Sequence, residues 1–143
     1  LVESSLEALP FGEDQFDVGI ATLVLSHCAT LSAAVAEMSR TLRHGATLLV
    51  SDWHPENDHR GWKRIFEVTS TNGHSVRYAA RSYHHSLAEY RTQFLDHGFI
   101  ADKVYEPVID ESLEPMFRRT NMMRVYKQYA GSPVVVVFCL RKV

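Results

Sequence analysis

Eight histidines occur in 143 residues, and their spacing limits the chemistry open to them. A metal centre needs donors at a fixed helical or turn spacing. His54, His59, His74, His84, His85 and His97 include no H-x-x-x-H, no H-E-x-x-H and no accompanying C-x-x-C. No metal site is expected, and a metal-dependent hydrolase built on these side chains is the weakest reading. Proton transfer is the better use, because an imidazole titrates near neutrality. His27 follows the apolar run Phe16–Leu25, and His54 follows the run Ala46–Asp52. Open α/β sheets bind ligands outside the carboxyl ends of their strands, so both would sit where chemistry occurs. For His27 the competing role is simple packing in its loop.

The elements that must position these residues alternate along the chain. Phe16–Leu25 reads as a strand covered on both faces, entered through the turn signal "PFGEDQ". Leu31, Ala34, Val35, Met38 and Leu42 fall at helical spacing over Leu31–Arg43, with Gly45 placed to end that helix. Ala46–Asp52 is a second buried strand, completing a strand–helix–strand unit. Asn72-Gly73 between two β-prone arms predicts an inserted hairpin at about residues 62–83, attached to the main sheet. Ser86 and Glu89 form a capping box for a helix whose apolar face holds Leu87, Tyr90, Phe94 and Leu95, closed by Gly98. A strand at Ile100–Glu106, one helix over Leu113–Tyr129 capped by Ser112 with Pro115 in its first turn, and a strand at Val134–Lys142 complete the pattern. The expectation is one α/β domain spanning residues 1–143.

Composition narrows the partners. Hydrophobic residues at 45%, charged residues at 22% and a formal net charge of -2 suit a globular domain with no bulk attraction to nucleic acid or anionic membrane. The cluster Arg118, Arg119, Arg124 and Lys127 is read as a solvated helix face. No apolar run approaches the ~20 residues of a spanning helix. Cys28 and Cys139 are read as reduced core thiols of a cytoplasmic protein.

"LEALPFGEDQFDVGIATLVLSHC" followed by "LSAAVAEMSRTLRHGATLLVSDWHP" resembles the second half of a class I S-adenosylmethionine-dependent methyltransferase. "HSLAEYRTQFLDHGF", "VYEP" and "GSPVVVVFCLRK" resemble the last helix–strand units of that family, with His44 and Ala46 replacing its usual proline and second glycine. The resemblance implies a truncated Rossmann-like sheet in the order 4-5-7-6, its last strand antiparallel, with helices on both faces. Strands 1 to 3 and the glycine-rich cofactor loop have no counterpart, and no two glycines here make G-x-G.

The family's cofactor contacts carry over onto Ser5 and Leu6 for adenine, and onto Thr22 and Leu23 for the methionine end. Ser5 stands where the family has an acid. His27 occupies the family's loop-histidine position, and the hairpin with His84 resembles a segment that covers the acceptor in related enzymes. His27, His54 and His84 are therefore the candidate catalytic residues. The implied reaction is methyl transfer to a small-molecule acceptor, impaired in this chain alone. The alternative is a non-catalytic α/β module that associates by sheet-edge pairing. An apolar strand at 16–25 without its usual neighbour is a template for pairing, so a homodimer or a chain supplying the missing strands is expected.

Overall fold

The computed structural model describes residues 1–56 and 65–143. His59 and the start of the hairpin arm expected from about residue 62 lie outside the described residues. Six strands are described: β1 (Phe16–Thr22), β2 (Leu42–Trp53), β3 (Ile65–Thr69), β4 (Ser75–Ala79), β5 (Phe99–Tyr105) and β6 (Val135–Lys142). The helices are α1 (Leu31–Thr41), α2 (Leu87–Asp96), α3 (Glu114–Arg119) and α4 (Met123–Tyr129).

The main sheet has the order β1-β2-β6-β5. β1 runs parallel to β2, while β6 runs antiparallel to both β2 and β5. This is the expected 4-5-7-6 order with its last strand reversed. β3 and β4 form a separate two-stranded sheet rather than an extension of the main one, with every residue exposed. Phe66 stacks on Tyr78 across that hairpin at 5.4 Å between ring centroids.

The core lies where α1 and α2 cover one face of the sheet. Leu48 and Val50 of β2, with Val136, Phe138 and Leu140 of β6, pack against Val35 and Met38 of α1 and Tyr90 and Phe94 of α2. Phe138 meets Phe94 edge-on at 5.1 Å between ring centroids, a favoured aromatic geometry.

Several boundaries depart from the sequence reading, each for a local reason. β1 stops at Thr22, short of Leu25, because Leu23 turns into the left-handed region at φ 53° and a single helical turn, Leu25–His27, follows. β1 is also not covered on both faces. Gly19 and Ala21 face the core, whereas Val18 and Ile20 remain 58% and 71% exposed. Gly45 does not end α1, which is closed by the Leu42 N–H reaching Met38 and Ser39 carbonyls. β2 starts at once, and Gly45 (φ 82°) lies in the irregular stretch where the register jumps from Leu42 to Thr47. The helix expected over Leu113–Tyr129 is two helices. Asn121 at φ 57° breaks it, and Asp110 rather than Ser112 caps the entering turn, accepting from the Ser112 N–H at 3.0 Å. Leu95 is 68% exposed, because it sits one position past the Tyr90–Phe94 stripe of α2.

Candidate functional site at the carboxyl rim of the sheet

The carboxyl ends of β1, β2 and β5 open on one rim, where β6 begins. Asp52, fully buried near the end of β2, organises it. Its carboxylate accepts from the Ser26 N–H at 2.6 Å, the Trp53 N–H at 2.8 Å and the Tyr90 hydroxyl at 3.2 Å. A buried carboxylate is tolerable only when so satisfied. Burial, followed by the Asp52 charge and that hydrogen bond, pushes the Tyr90 hydroxyl well above its ordinary range, so it stays a donor. Cys28 is raised likewise, first by burial and then by the Glu7 and Asp52 charges, which leaves it a neutral thiol.

The turn after β1 is held from several sides. Ser26 donates to Asp52, and its carbonyl accepts from the Tyr83 N–H at 2.8 Å. His85, almost wholly buried, places Nε2 at 2.8 Å from the Cys28 carbonyl and Nδ1 at 3.0 Å from Glu89 Oε1. Both partners are acceptors, so each ring N–H of His85 that faces one donates to it. The capping box is accordingly half made: Ser86 Oγ accepts from the Glu89 N–H at 3.1 Å, while the Glu89 carboxylate turns to His85.

The three candidate catalytic histidines occupy different settings. His27 is exposed on the held turn and donates from Nδ1 to the Arg81 carbonyl at 2.7 Å. His54 is buried just past β2; its Nδ1 accepts from the Glu56 N–H at 3.3 Å, and its Nε2 faces Glu106 Oε2 at 3.1 Å. Its own N–H donates to the Val134 carbonyl at 2.9 Å, tying β2 to the start of β6. His84 is exposed, and its buried neighbour His85 is the one bound to the turn. The sequence reading missed Glu106, which pairs with His54 across separate strands, and His85, whose i,i+4 spacing to Glu89 was the available signal.

Of the four residues assigned to the cofactor, Leu6 and Thr22 line one apolar cavity of about 520 Å³ beside β1. Ser5 and Leu23 adjoin them in sequence. Ser5 Oγ accepts from the Glu7 N–H at 3.2 Å in a tight local turn, and the Leu23 N–H donates to the Ser51 carbonyl at 2.7 Å. Among the described residues the cavity wall carries no carboxylate, and it runs along β1 from Phe16 to Thr22, the margin of the sheet that pairs with no second strand. The N-terminal segment that forms this wall is anchored by Glu37 and Arg40. Glu37 accepts from the Leu9 N–H at 2.7 Å, and Arg40 donates to the carbonyls of Phe11 and Leu9. The Arg40 guanidinium, then the Leu9 N–H, hold the Glu37 carboxyl down at about 2.

Among the described residues, no three His, Cys, Asp or Glu side chains gather into a cluster able to hold a metal. No described helix is long and apolar enough to cross a membrane.

Residues 1–50 match the family model of a methyltransferase domain. The whole described arrangement superposes on an S-adenosylmethionine-dependent methyltransferase from Mesorhizobium loti with a TM-score of 0.67, at 14% identity, over 97% of this chain and 68% of that one. The chain has the class I methyltransferase fold. A second methyltransferase of this fold, the geranyl diphosphate C-methyltransferase of Streptomyces coelicolor, was solved with Mg2+, geranyl diphosphate and S-adenosyl-L-homocysteine. It matches with a TM-score of 0.61 at 15% identity, over 98% of this chain and 52% of that one. In sequence the chain is 27% identical to the uncharacterized protein YafE of Escherichia coli (strain K12), over 94% of this chain and 66% of that protein. The methyltransferase fold here thus spans about two thirds of its relatives' length or less.

Proposed function

We propose that this chain is a single partial methyltransferase domain, the acceptor side of an enzyme that moves a methyl group from S-adenosylmethionine to a small molecule. The observation that carries this reading is the convergence of the His27 turn, Asp52 and the His54–Glu106 pair on one rim of a sheet with methyltransferase strand order. S-adenosylmethionine supplies an electrophilic methyl group when bound. Leu6 and Thr22 would hold its apolar surfaces, with Ser5 at the adenine edge and Leu23 at the methionine end. Methyl transfer depends chiefly on alignment, and the anchored turn at residues 25–28 provides a fixed platform for it. Where the acceptor must lose a proton, His27 and His84 are exposed candidates to take it. His54 takes one at Nδ1 once its contact with the Glu56 N–H opens, and Glu106 balances the charge. Two cysteines outside any disulfide fit a reducing cytoplasmic setting.

The ribose and sulfonium contacts would come from polypeptide paired along β1. Calorimetric titration of S-adenosylmethionine tests this. The chain alone should bind weakly or not at all, and joined to a strand–G-x-G–helix segment it should bind at micromolar concentration and transfer methyl label. A joined protein that folds yet neither binds nor transfers would refute the reading.

A second reading is favoured by the exposure of Val18 and Ile20 and by the pairing of β1 with β2 alone among the described residues. In it the chain is a non-catalytic module that associates through β1, with a second copy or a complementing chain. Sedimentation at micromolar concentration should then give a dimer mass, and a clean monomer would count against the homodimer.

A further inference from the structure

Residues 81–85 form a strap across the turn that follows β1. Three contacts fasten it. The His27 ring donates from Nδ1 to the Arg81 carbonyl at 2.7 Å, the Tyr83 N–H donates to the Ser26 carbonyl at 2.8 Å, and His85 Nε2 lies 2.8 Å from the Cys28 carbonyl. The backbone of the strap is therefore fixed at the rim, while Arg81 and His84 are exposed there.

The Arg81 guanidinium has an unusual setting for this chain. Its Cζ lies over the Tyr83 ring, 5.3 Å from the centroid, within the ~6 Å reach of a cation–π contact. Arg40, Arg43, Arg118 and Arg141 each pair with a carboxylate. Among the described residues no carboxylate pairs with Arg81. Between Glu67 and Glu89 the sequence holds Arg77, Arg81 and three histidines but no acidic residue. Glu67 faces Arg77 across the hairpin, Glu89 is drawn to His85, and Asp52 is buried beneath its three donors. A guanidinium laid over a ring turns its flat face to the aromatic and keeps its in-plane N–H groups for an oxygen ligand. Those groups form a fork that matches the two oxygens of a carboxylate.

We propose that Arg81 anchors the methyl acceptor, and that the acceptor is a small monocarboxylate bearing one O–H or N–H. This rests on the methyltransferase reading for the word acceptor, but the anion site itself is tested without turnover. The fork fixes the carboxylate end, and His27, whose ring is bonded to the Arg81 backbone, serves the other end. As the acceptor oxygen or nitrogen gains the methyl carbon from the sulfonium, which leaves as a thioether, its proton passes to the His27 ring. One fork suits a monoanion, whereas a phosphate dianion calls for a second fixed cation. The site thus selects carboxylates over the matching alcohols and phosphates.

The test uses the chain labelled with 15N-arginine and follows the Nε–H signals at constant ionic strength. Benzoate should move the Arg81 signal saturably, with a dissociation constant on the order of 1–10 mM, and leave the exposed Arg91 and Arg119 in place. The His27 ring signals should move with the same midpoint, and benzyl alcohol should move neither. Arg81→Lys should weaken benzoate about fivefold or more, since an ammonium has no fork, and Arg81→Gln should abolish binding, both read at His27. The Cys28 amide should exchange unchanged in both variants, because His27 bonds to the backbone of residue 81. An unmoved Arg81 signal, or a shift shared by Arg91 and Arg119 without saturation, would overturn the proposal. Phenyl phosphate binding more tightly than benzoate would overturn the carboxylate class, and a still His27 ring would overturn the pairing of anchor and base. In the joined protein, saturating S-adenosyl-L-homocysteine should leave the benzoate midpoint in place. Displacement of benzoate would give Arg81 to the cofactor carboxylate and overturn its assignment to the acceptor. Saturable benzoate binding in a joined protein that transfers no methyl group would refute the methyltransferase reading and leave the anion site standing.

Discussion

Replacing Tyr90 with phenylalanine removes one oxygen from the buried network and leaves the ring packing against Phe94 and Phe138 in place. The lost bond is to a carboxylate, a class worth about 1.5–3 kcal/mol. At 3.2 Å it is the longest of the three that Asp52 accepts, and Ser26 and Trp53 still satisfy the charge. The low end of the range applies, so Tyr90→Phe should cost about 1.5 kcal/mol. For a chain of this length that is a fall in melting temperature of roughly 4–6 °C. Asp52→Ala cuts the same bond from its other end with a different result, because three donors lose their acceptor together. At about 1–3 kcal/mol per stranded group the cost is roughly 3–9 kcal/mol, a large share of the ~5–15 kcal/mol that holds a domain folded. Urea denaturation followed by circular dichroism measures both variants. A Tyr90→Phe cost below about 0.5 kcal/mol, or an Asp52→Ala chain no less stable than Tyr90→Phe, would refute the view that Asp52 organises the rim.

The anchoring of the N-terminal segment should be acid-labile. The folded Glu37 carboxyl is held at about 2, below the ~4.3 of a free glutamate. Its contribution is therefore complete above the unfolded value and is lost as pH falls through about 2, the order expected of a depressed carboxyl. Exchange of the Leu9 amide should accelerate over that window, and Glu37→Gln should remove the dependence. His85→Leu strands the Cys28 carbonyl, and the Cys28 amide, which donates to the Leu25 carbonyl at 2.9 Å, should exchange about tenfold faster. Unchanged exchange would show that the turn stands without His85. Asn121→Val puts a β-branched residue at φ 57° and should cost about 1–2 kcal/mol by thermal melt, whereas Asn121→Gly should be near neutral.

The order of elements was legible because period and spacing are local. Leu31, Val35 and Met38 at helical intervals, and "ATLLVSD" just after them, sufficed for the unit that carries His54. Departures came where a single backbone angle outweighed composition. Leu23 adopts left-handed geometry with a side chain that does not announce it, Asn121 does so as the residue type that tolerates it best after glycine, a signal the helical spacing overrode, and Gly45 uses its freedom in a strand irregularity instead of a helix end. The site was half legible for a related reason. Strand ends marked His27 and His54 as rim residues, but the partner of His54 is 52 positions away, a pairing no local pattern encodes. Between His84 and His85 residue type offers no choice, and only the depth of each side chain separates an exposed ring from a buried clamp.

The outer margin of β1 has a bearing on how this protein behaves in the test tube. It has neither proline nor lysine to discourage adhesion, and its only charged side chain, Asp17, is paired with Arg43. Among the described residues that margin pairs with no strand, so under the proposed edge pairing ordered closure by a companion and disordered fibrillar growth would draw on the same backbone groups and compete, both quickening with crowding. Heat resistance will accordingly be a property of the preparation, rising with protein concentration when the companion is a twin and falling into turbidity when there is none.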